Sequence, residues 1–231
     1  MKKVAILQSN YIPWKGYFDI INSVDEFILY DDMQYTRRDW RNRNKIMTKD
    51  GLKWLTIPVN NKGKFFQKIK EVMVSEPDWA EKHWKSIHYN YARAKCFADY
   101  APTIQEMYEQ CAKESYLSKI NYTFLAGICK ILDIKTKITW SSDYPMKDGK
   151  TERLVGLVQS AGGDYYLSGP AAKDYIEEKY FQEAGIELAW MDYSGYPEYH
   201  QLSEHFEHGV SILDLIFNEG MDASKYMKSF V

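Results

Sequence analysis

A chain of 231 residues with 45% hydrophobic and 16% aromatic side chains is too apolar to be disordered and long enough for one α/β domain. Its net charge of −2, from 30 basic and 32 acidic residues, argues against a general nucleic-acid or membrane-surface protein, which would carry a basic excess. Cys96, Cys111 and Cys129 form no C-x-x-C pair and read as free thiols of a reducing compartment. No signal peptide precedes the first apolar run, and none of the runs nears the ~20 residues of a membrane span, so the expected location is cytoplasmic.

In chain order, Val4–Leu7 is a short apolar run expected as a buried strand. A polar and aromatic turn follows through Gln8, Ser9, Asn10, Tyr11, Pro13, Trp14 and Gly16. Tyr17, Ile20, Ile21 and Val24 then have helical spacing, and Phe27–Tyr30 is a second strand ending in Asp31 and Asp32. This strand–helix–strand order predicts a parallel pair. Lys45–Met47 and Leu52–Val59 read as a hairpin turning at Asp50-Gly51. Phe65–Val74 reads as a strand, with a short helix as the other assignment. From about 75 to 132 the pattern is helical: one helix on Trp79, His83, Trp84, Ile87 and Tyr91, a second starting at Ala101-Pro102-Thr103, a third over Leu117–Leu132. Strand and helix alternate again thereafter. Strands are expected at Lys137–Trp140, Tyr165–Leu167 and Glu187–Trp190, and helices from Thr151, over Ala171–Tyr180 and over Ser211–Phe217. The expectation is a single α/β domain over residues 1–231, mainly a parallel Rossmann-like sheet, with a helical insertion at about 75–132.

In such sheets ligands sit beyond the carboxyl ends of the strands. Gln8, Asn10, Tyr11, Trp14, Gly16 and Tyr17 fall there after the first strand, Asp31 and Asp32 after the second, and Ser168 and Gly169 after a later one. Taken singly, each aromatic is more simply a packing residue. Asp31 and Asp32 could bind Mg²⁺, act as a base or hold ribose hydroxyls, though neighbours on an extended chain point opposite ways and only one would face a site. From Tyr35 to Lys53, four Arg and three Lys face two Asp, a surplus of five. Arg38, Arg41 and Arg43, with Tyr35, Trp40 and Asn42 between them, suit a compact phosphate better than a polymer. His200, His205 and His208 lack metal-ligand spacing, so no metal site is assigned; His205 and His208 read as solvated or hydrogen-bonded, and His200 is kept as a possible acid or base.

The run Gln8-x-Asn10-Tyr11-Ile12-Pro13-Trp14-x-Gly16-Tyr17-Phe18 resembles the WbqC-like family of bacterial proteins. So do Asp31-Asp32-x-Gln34-Tyr35-x-x-Arg38-x-Trp40-Arg41-Asn42-Arg43, Tyr166-Leu-Ser168-Gly169 and Ser211-x-x-Asp214-x-x-Phe217-Asn218-x-Gly220. Ser9 departs from the family's usual proline and is expected to loosen the turn. The resemblance implies a role in surface-polysaccharide (O-antigen) biosynthesis, with transfer of glycine or a similar acyl group to an amino sugar. A more distant similarity is to nucleotidyltransferases of the HxGH type, with Trp14 and Tyr17 in place of both histidines and Ser168-Gly169 near that class's phosphate loop.

The leading expectation is therefore an acyl or aminoacyl transferase acting on a nucleotide-linked amino sugar. Arg38, Arg41 and Arg43 would hold phosphates, Tyr11, Trp14 and Trp40 would stack on sugar or base, Gln8 and Asn10 would orient it, and Asp31, Asp32 or His200 would take the amine's proton. The alternatives are a nucleotidyltransferase-like enzyme using Mg²⁺ with a nucleotide, and a non-catalytic binding protein of the same pathway. The partner expected is a small phosphate-bearing molecule, not a nucleic acid or a membrane.

Overall fold

Five short segments rich in apolar residues line up in parallel; the three central ones are largely buried and the two at the edges are partly exposed, and a continuous ladder satisfies the backbone groups that face one another. The computed structural model, which describes residues 1–230, orders them β5-β2-β1-β6-β7, with β1 Lys3–Leu7, β2 Glu26–Leu29, β5 Lys137–Trp140, β6 Tyr165–Ser168 and β7 Glu187–Trp190. Ala5 pairs with Phe27 on one side and Leu167 on the other. The chain thus runs outward from β1 through β2 to β5, then returns to lay β6 on the opposite side of β1. The α/β Rossmann-like class expected from the sequence is the one observed.

Alternation along the strands splits the core into two layers. Ala5, Phe27, Leu29 and Leu167 face a larger cluster that includes Phe18 and Ile21 of α1 (Lys15–Asn22) and residues of α2 (Trp79–Tyr91), α3 (Phe97–Cys111), α4 (Leu117–Ile131) and α7 (Ile212–Glu219). Val4, Ile6, Ile28 and Tyr166 face a smaller one built by α5 (Thr151–Ser160) and α6 (Glu178–Glu183). A separate antiparallel hairpin, β3 Arg43–Thr48 with β4 Gly51–Thr56, turns at Lys49-Asp50 and puts Gly51 at φ +98°. No helix among the described residues is long and apolar enough to cross a membrane.

Three segments differ from the sequence reading. Phe65–Val74 contains only a single 3₁₀ turn, Ile69–Glu71, flanked by isolated bridges, because Ile69 and Val72 are buried three apart while Lys70 and Glu71 face solvent. The second helix begins at Phe97, upstream of Pro102, since Phe97 packs against Phe217 at 4.9 Å between ring centroids and stacks on Trp84 at 6.2 Å. Residues 171–180 split into a 3₁₀ turn, Pro170–Asp174, and α6.

Buried polar groups pin these layers together. Asp214 on α7 accepts from Tyr91 and Tyr199 hydroxyls, both at 2.8 Å, and from Gln201 at 2.9 Å. Ser211 caps the same helix by accepting from the Leu213 amide, and Gly220 ends it at φ +56°. The fully buried Tyr11 hydroxyl contacts Tyr108 at 2.6 Å and His83 Nδ1 at 2.9 Å, while His83 Nε2 lies 3.2 Å from the Thr56 carbonyl. A carbonyl can only accept, so Nε2 carries the proton, Tyr11 donates to Nδ1, and Tyr108 donates to Tyr11. Burial lowers the His83 pKa to about 4, which keeps the ring neutral at pH 7.

At the sheet's opposite end, buried Glu26 accepts from Lys2 and Thr139, each at 2.8 Å, and from Tyr144. Burial alone would raise its pKa; these donors outweigh burial and bring it down to about 2. A carboxylate depressed in the fold contributes stability above its unfolded value, lost as pH falls from about 4.5 toward about 2. Glu26→Gln is therefore expected to cost on the order of 2 kcal/mol at pH 7 and to reduce the acid-induced loss across that window. Urea unfolding as a function of pH checks this; parallel pH profiles for the two proteins would refute it.

Candidate functional site

All five sheet strands end on the same edge, and the reversal of order between β1 and β6 parts the loops above it. A cavity of about 980 Å³ opens there. Gln8 and Asn10 line it from the turn after β1, Ser168 and Gly169 from the end of β6, and Arg41 from the loop before β3. Opposite them are Lys150 and Arg153, at the start of α5, and the rings of Tyr30, Tyr166 and Tyr175. Gln34 and Thr36 complete the polar rim. Three cations line this cavity, and among the described residues no carboxylate does.

The turn that carries Gln8 and Asn10 is fixed by a buried charge. Asp31 accepts from the Ser9 amide at 2.8 Å, from the Ser9 hydroxyl at 2.7 Å and from the Ser118 hydroxyl. Asn121 of α4 donates to the Ser9 hydroxyl at 3.0 Å and to the Arg41 carbonyl at 2.9 Å. Burial pushes the Asp31 pKa up, opposed by the Ser118 and Ser9 bonds and by the Arg41 charge. Ser9 thus tightens the turn, contrary to the expectation that it loosens it, since a proline there would supply neither donor. The Gln8 carbonyl accepts from Tyr17 at 2.8 Å and from Arg41 at 3.2 Å, and Arg41 also donates to the Asn10 side chain.

A second, smaller cleft of about 360 Å³ adjoins the first and shares Asn10 with it. Its walls are Trp14, Trp40, Pro13 and Asn44, closed by His208 and Gly209. Gly16 allows this shape: a Cβ there would sit 2.3 Å from the Trp14 ring, which folds back over α1. Trp40 lies 5.3 Å from Trp54, and the Arg43 guanidinium caps Trp54 at 4.1 Å. Burial and the Lys15 charge hold the His208 pKa below its ordinary value, and Nδ1 has no hydrogen-bond partner.

Gln8, Asn10, Trp14, Trp40, Arg41, Ser168 and Gly169 are therefore drawn together around the two spaces. Other candidate residues lie elsewhere. Tyr11 is in the core, Tyr17 and Gly16 stand behind the turn and the cleft, and Tyr35 is buried with its amide donating to Gln67. Asn42 donates to the Ile57 carbonyl at 2.8 Å. Arg38 sits at φ +57° outside both cavities, with its carbonyl bound by Arg43.

The three residues proposed to take the proton do not line either space. Asp31 is committed to the serines. Asp32 is held by Lys70 at 2.6 Å, Lys68 at 3.5 Å and Ser141 at 2.9 Å; burial opposes ionisation, but these donors depress its pKa. His200 is exposed, its backbone amide 3.3 Å from Glu219. Asp32 between two lysines is also a poor ligand for Mg²⁺, and among the described residues no group of three His, Cys, Asp or Glu is placed to hold a metal ion. Trp14 and Tyr17, the positions matched to the HxGH histidines, lie outside the larger cavity.

Sequence reasoning missed Lys150, Arg153, the three tyrosines and His208. One signal was present: cations in the first turn of a helix oppose its dipole, and Lys150 and Arg153 bracket the start of α5.

The profile of the WbqC-like protein family matches residues 8–226. The chain is also similar to the protein named Uncharacterized protein Rv1507c from Mycobacterium tuberculosis, with 51% identity over 228 residues, 99% of this chain and 98% of that one. No solved structure matches.

Asp31→Ala strands the Ser9 amide and two hydroxyls in the interior and is expected to cost about 3 kcal/mol, whereas Arg153→Ala should stay within about 0.5 kcal/mol of the parent. Chemical denaturation of the two variants checks this. Tyr11→Phe is expected to cost about 1–3 kcal/mol by removing the donor to His83, with ligand affinity unchanged; a large loss of affinity at unchanged stability would put Tyr11 back in the site.

Proposed function

The chain belongs to the WbqC-like protein family, and from that premise and the two adjoining spaces we propose that it transfers an acyl or aminoacyl group, such as glycyl, to the amine of a nucleotide-linked sugar in surface-polysaccharide biosynthesis. What carries the reading is the carboxylate-free cationic cavity at the β1–β6 reversal, joined through Asn10 to a cleft walled by two tryptophans. Arg41, Lys150 and Arg153 suit the phosphates, since a dianion is favoured where cations converge. Flat indole faces suit the apolar side of a sugar ring.

In this scheme the amine must be neutral to attack. Its nitrogen bonds to the activated acyl carbon, the donor's leaving group departs with the electron pair of the broken bond, and the surplus proton goes to a base. His208 is the group placed for that: it closes the aromatic cleft and its lowered pKa keeps it unprotonated at neutral pH. Asp31, Asp32 and His200, which line neither space, are not assigned the step.

A thermal-shift screen of nucleoside diphosphates and nucleotide-linked amino sugars tests the binding half. A ligand at a hundred times its Kd is expected to stabilise the protein by ~2.7 kcal/mol, and Arg153→Ala to weaken it about tenfold or more. With activated glycine added, His208→Gln is expected to lower kcat about 10²- to 10⁴-fold with nucleotide affinity unchanged. In the parent, kcat should fall as pH drops through the depressed His208 pKa, because the base is then protonated. Failure of every nucleotide and sugar nucleotide to bind would sink the proposal.

A further inference from the structure

The loop between β4 and the 3₁₀ turn at Ile69 carries Phe65 and Phe66 at exposures of 72% and 83%, with the two rings 5.1 Å apart. They occupy the central positions of a turn closed by the Gln67 amide to the Lys64 carbonyl at 3.2 Å. Burying them in the protein was open to the chain, whose other phenylalanines are at least half-covered. Lys62 and Lys64 flank them, both exposed and, among the described residues, in no ion pair; Arg37 donates to the Asn61 carbonyl at 3.0 Å and adds a third cation to the same loop. The acids nearby are turned away from the tip. Glu71 folds back to accept from the Lys68 amide at 3.0 Å, Asp39 accepts from Thr36 at 2.6 Å, and buried Asp32 holds Lys68 and Lys70.

We propose that this loop docks the protein onto an anionic phospholipid surface, with the Phe65 and Phe66 rings entering the interface and Lys62, Lys64 and Arg37 meeting lipid phosphates. Paired aromatic and basic residues at a turn tip match the two components of a bilayer boundary, apolar chain and negative headgroup. A near-neutral whole chain led the sequence reading away from a membrane partner, yet the charge that matters is local, within a Debye length of the surface. The loop is tied to the site: Gln34, on the cavity rim, donates to the Phe65 carbonyl at 2.9 Å, so docking would set the cavity mouth beside the bilayer. The inference does not depend on which substrate the cavity takes.

Co-sedimentation of the full chain with vesicles of phosphatidylglycerol mixed equally with phosphatidylcholine tests it, with pure phosphatidylcholine vesicles alongside. Binding is expected to the mixed vesicles, to weaken as salt rises, and to be at least about tenfold weaker to pure phosphatidylcholine. The pairs Phe65→Ser with Phe66→Ser and Lys62→Glu with Lys64→Glu should each lose about tenfold or more at unchanged Tm, since all four side chains are exposed. No sedimentation of the parent, or undiminished sedimentation of the serine pair, would overturn the proposal. So would conversion of a vesicle-free dimer to a monomer by the serine pair, which would give the tip to a second copy of this chain. Nucleotide binding is read without lipid, so either hypothesis can fail while the other stands.

Discussion

A charge enclosed by protein must be met by donors, and the Asp31 carboxylate turns that requirement into the geometry of the site. Its three donors come from two places: the amide and hydroxyl of Ser9 beyond β1, and the Ser118 hydroxyl of α4. Asn121, on the same helix, then grips Ser9 and the Arg41 carbonyl together. One buried acid therefore sets where β1's turn lies relative to β2, α4 and the arginine loop. Loosen it and Gln8, Asn10 and Arg41 lose their common reference. The acid that looked in sequence like a catalytic group is bound up in holding residues of the cavity lining in register.

The positions of the five strands along the chain were legible because each is a short apolar run bounded by turn residues; their order in the sheet was not. Nor were the roles of residues at their carboxyl ends. Tyr11 and Trp14 are near neighbours in one motif, yet one hydroxyl is sealed between Tyr108 and His83 while the other ring walls a cleft. Which way a side chain points after a tight turn depends on what packs behind it, and for Tyr11 that is α2, α3 and α4, far away in sequence. Ile69 and Val72 misled for a different reason. Spacing by three fits a 3₁₀ turn as well as a frayed strand, and only their tertiary partners decide between the two. Lys150 and Arg153 were hidden by distance, since nothing local connects the start of α5 to the turn after β1.

The arginine cluster shows how one composition divides into different physical tasks. Arg41 joins the cavity while bracing the turn with three of its neighbours' oxygens. Arg43 sits over the Trp54 ring of the hairpin at 4.1 Å. Arg37 belongs to the lysine-rich loop, and Arg38 takes a left-handed backbone conformation that lets the chain reverse. A surplus of five positive charges reads as one feature in sequence but is four separate arrangements in space.

Asn10 stands in the partition between the two spaces, and its side-chain oxygen is already bound to Arg41. An anion that drew the guanidinium toward itself would stretch or redirect that bond, and with it the position of a side chain that lines the tryptophan cleft as well. Occupants of the two compartments would then be energetically linked, and thermodynamic reciprocity would make the influence equal in both directions: whatever the first guest did to the affinity for the second, the second would do to the first.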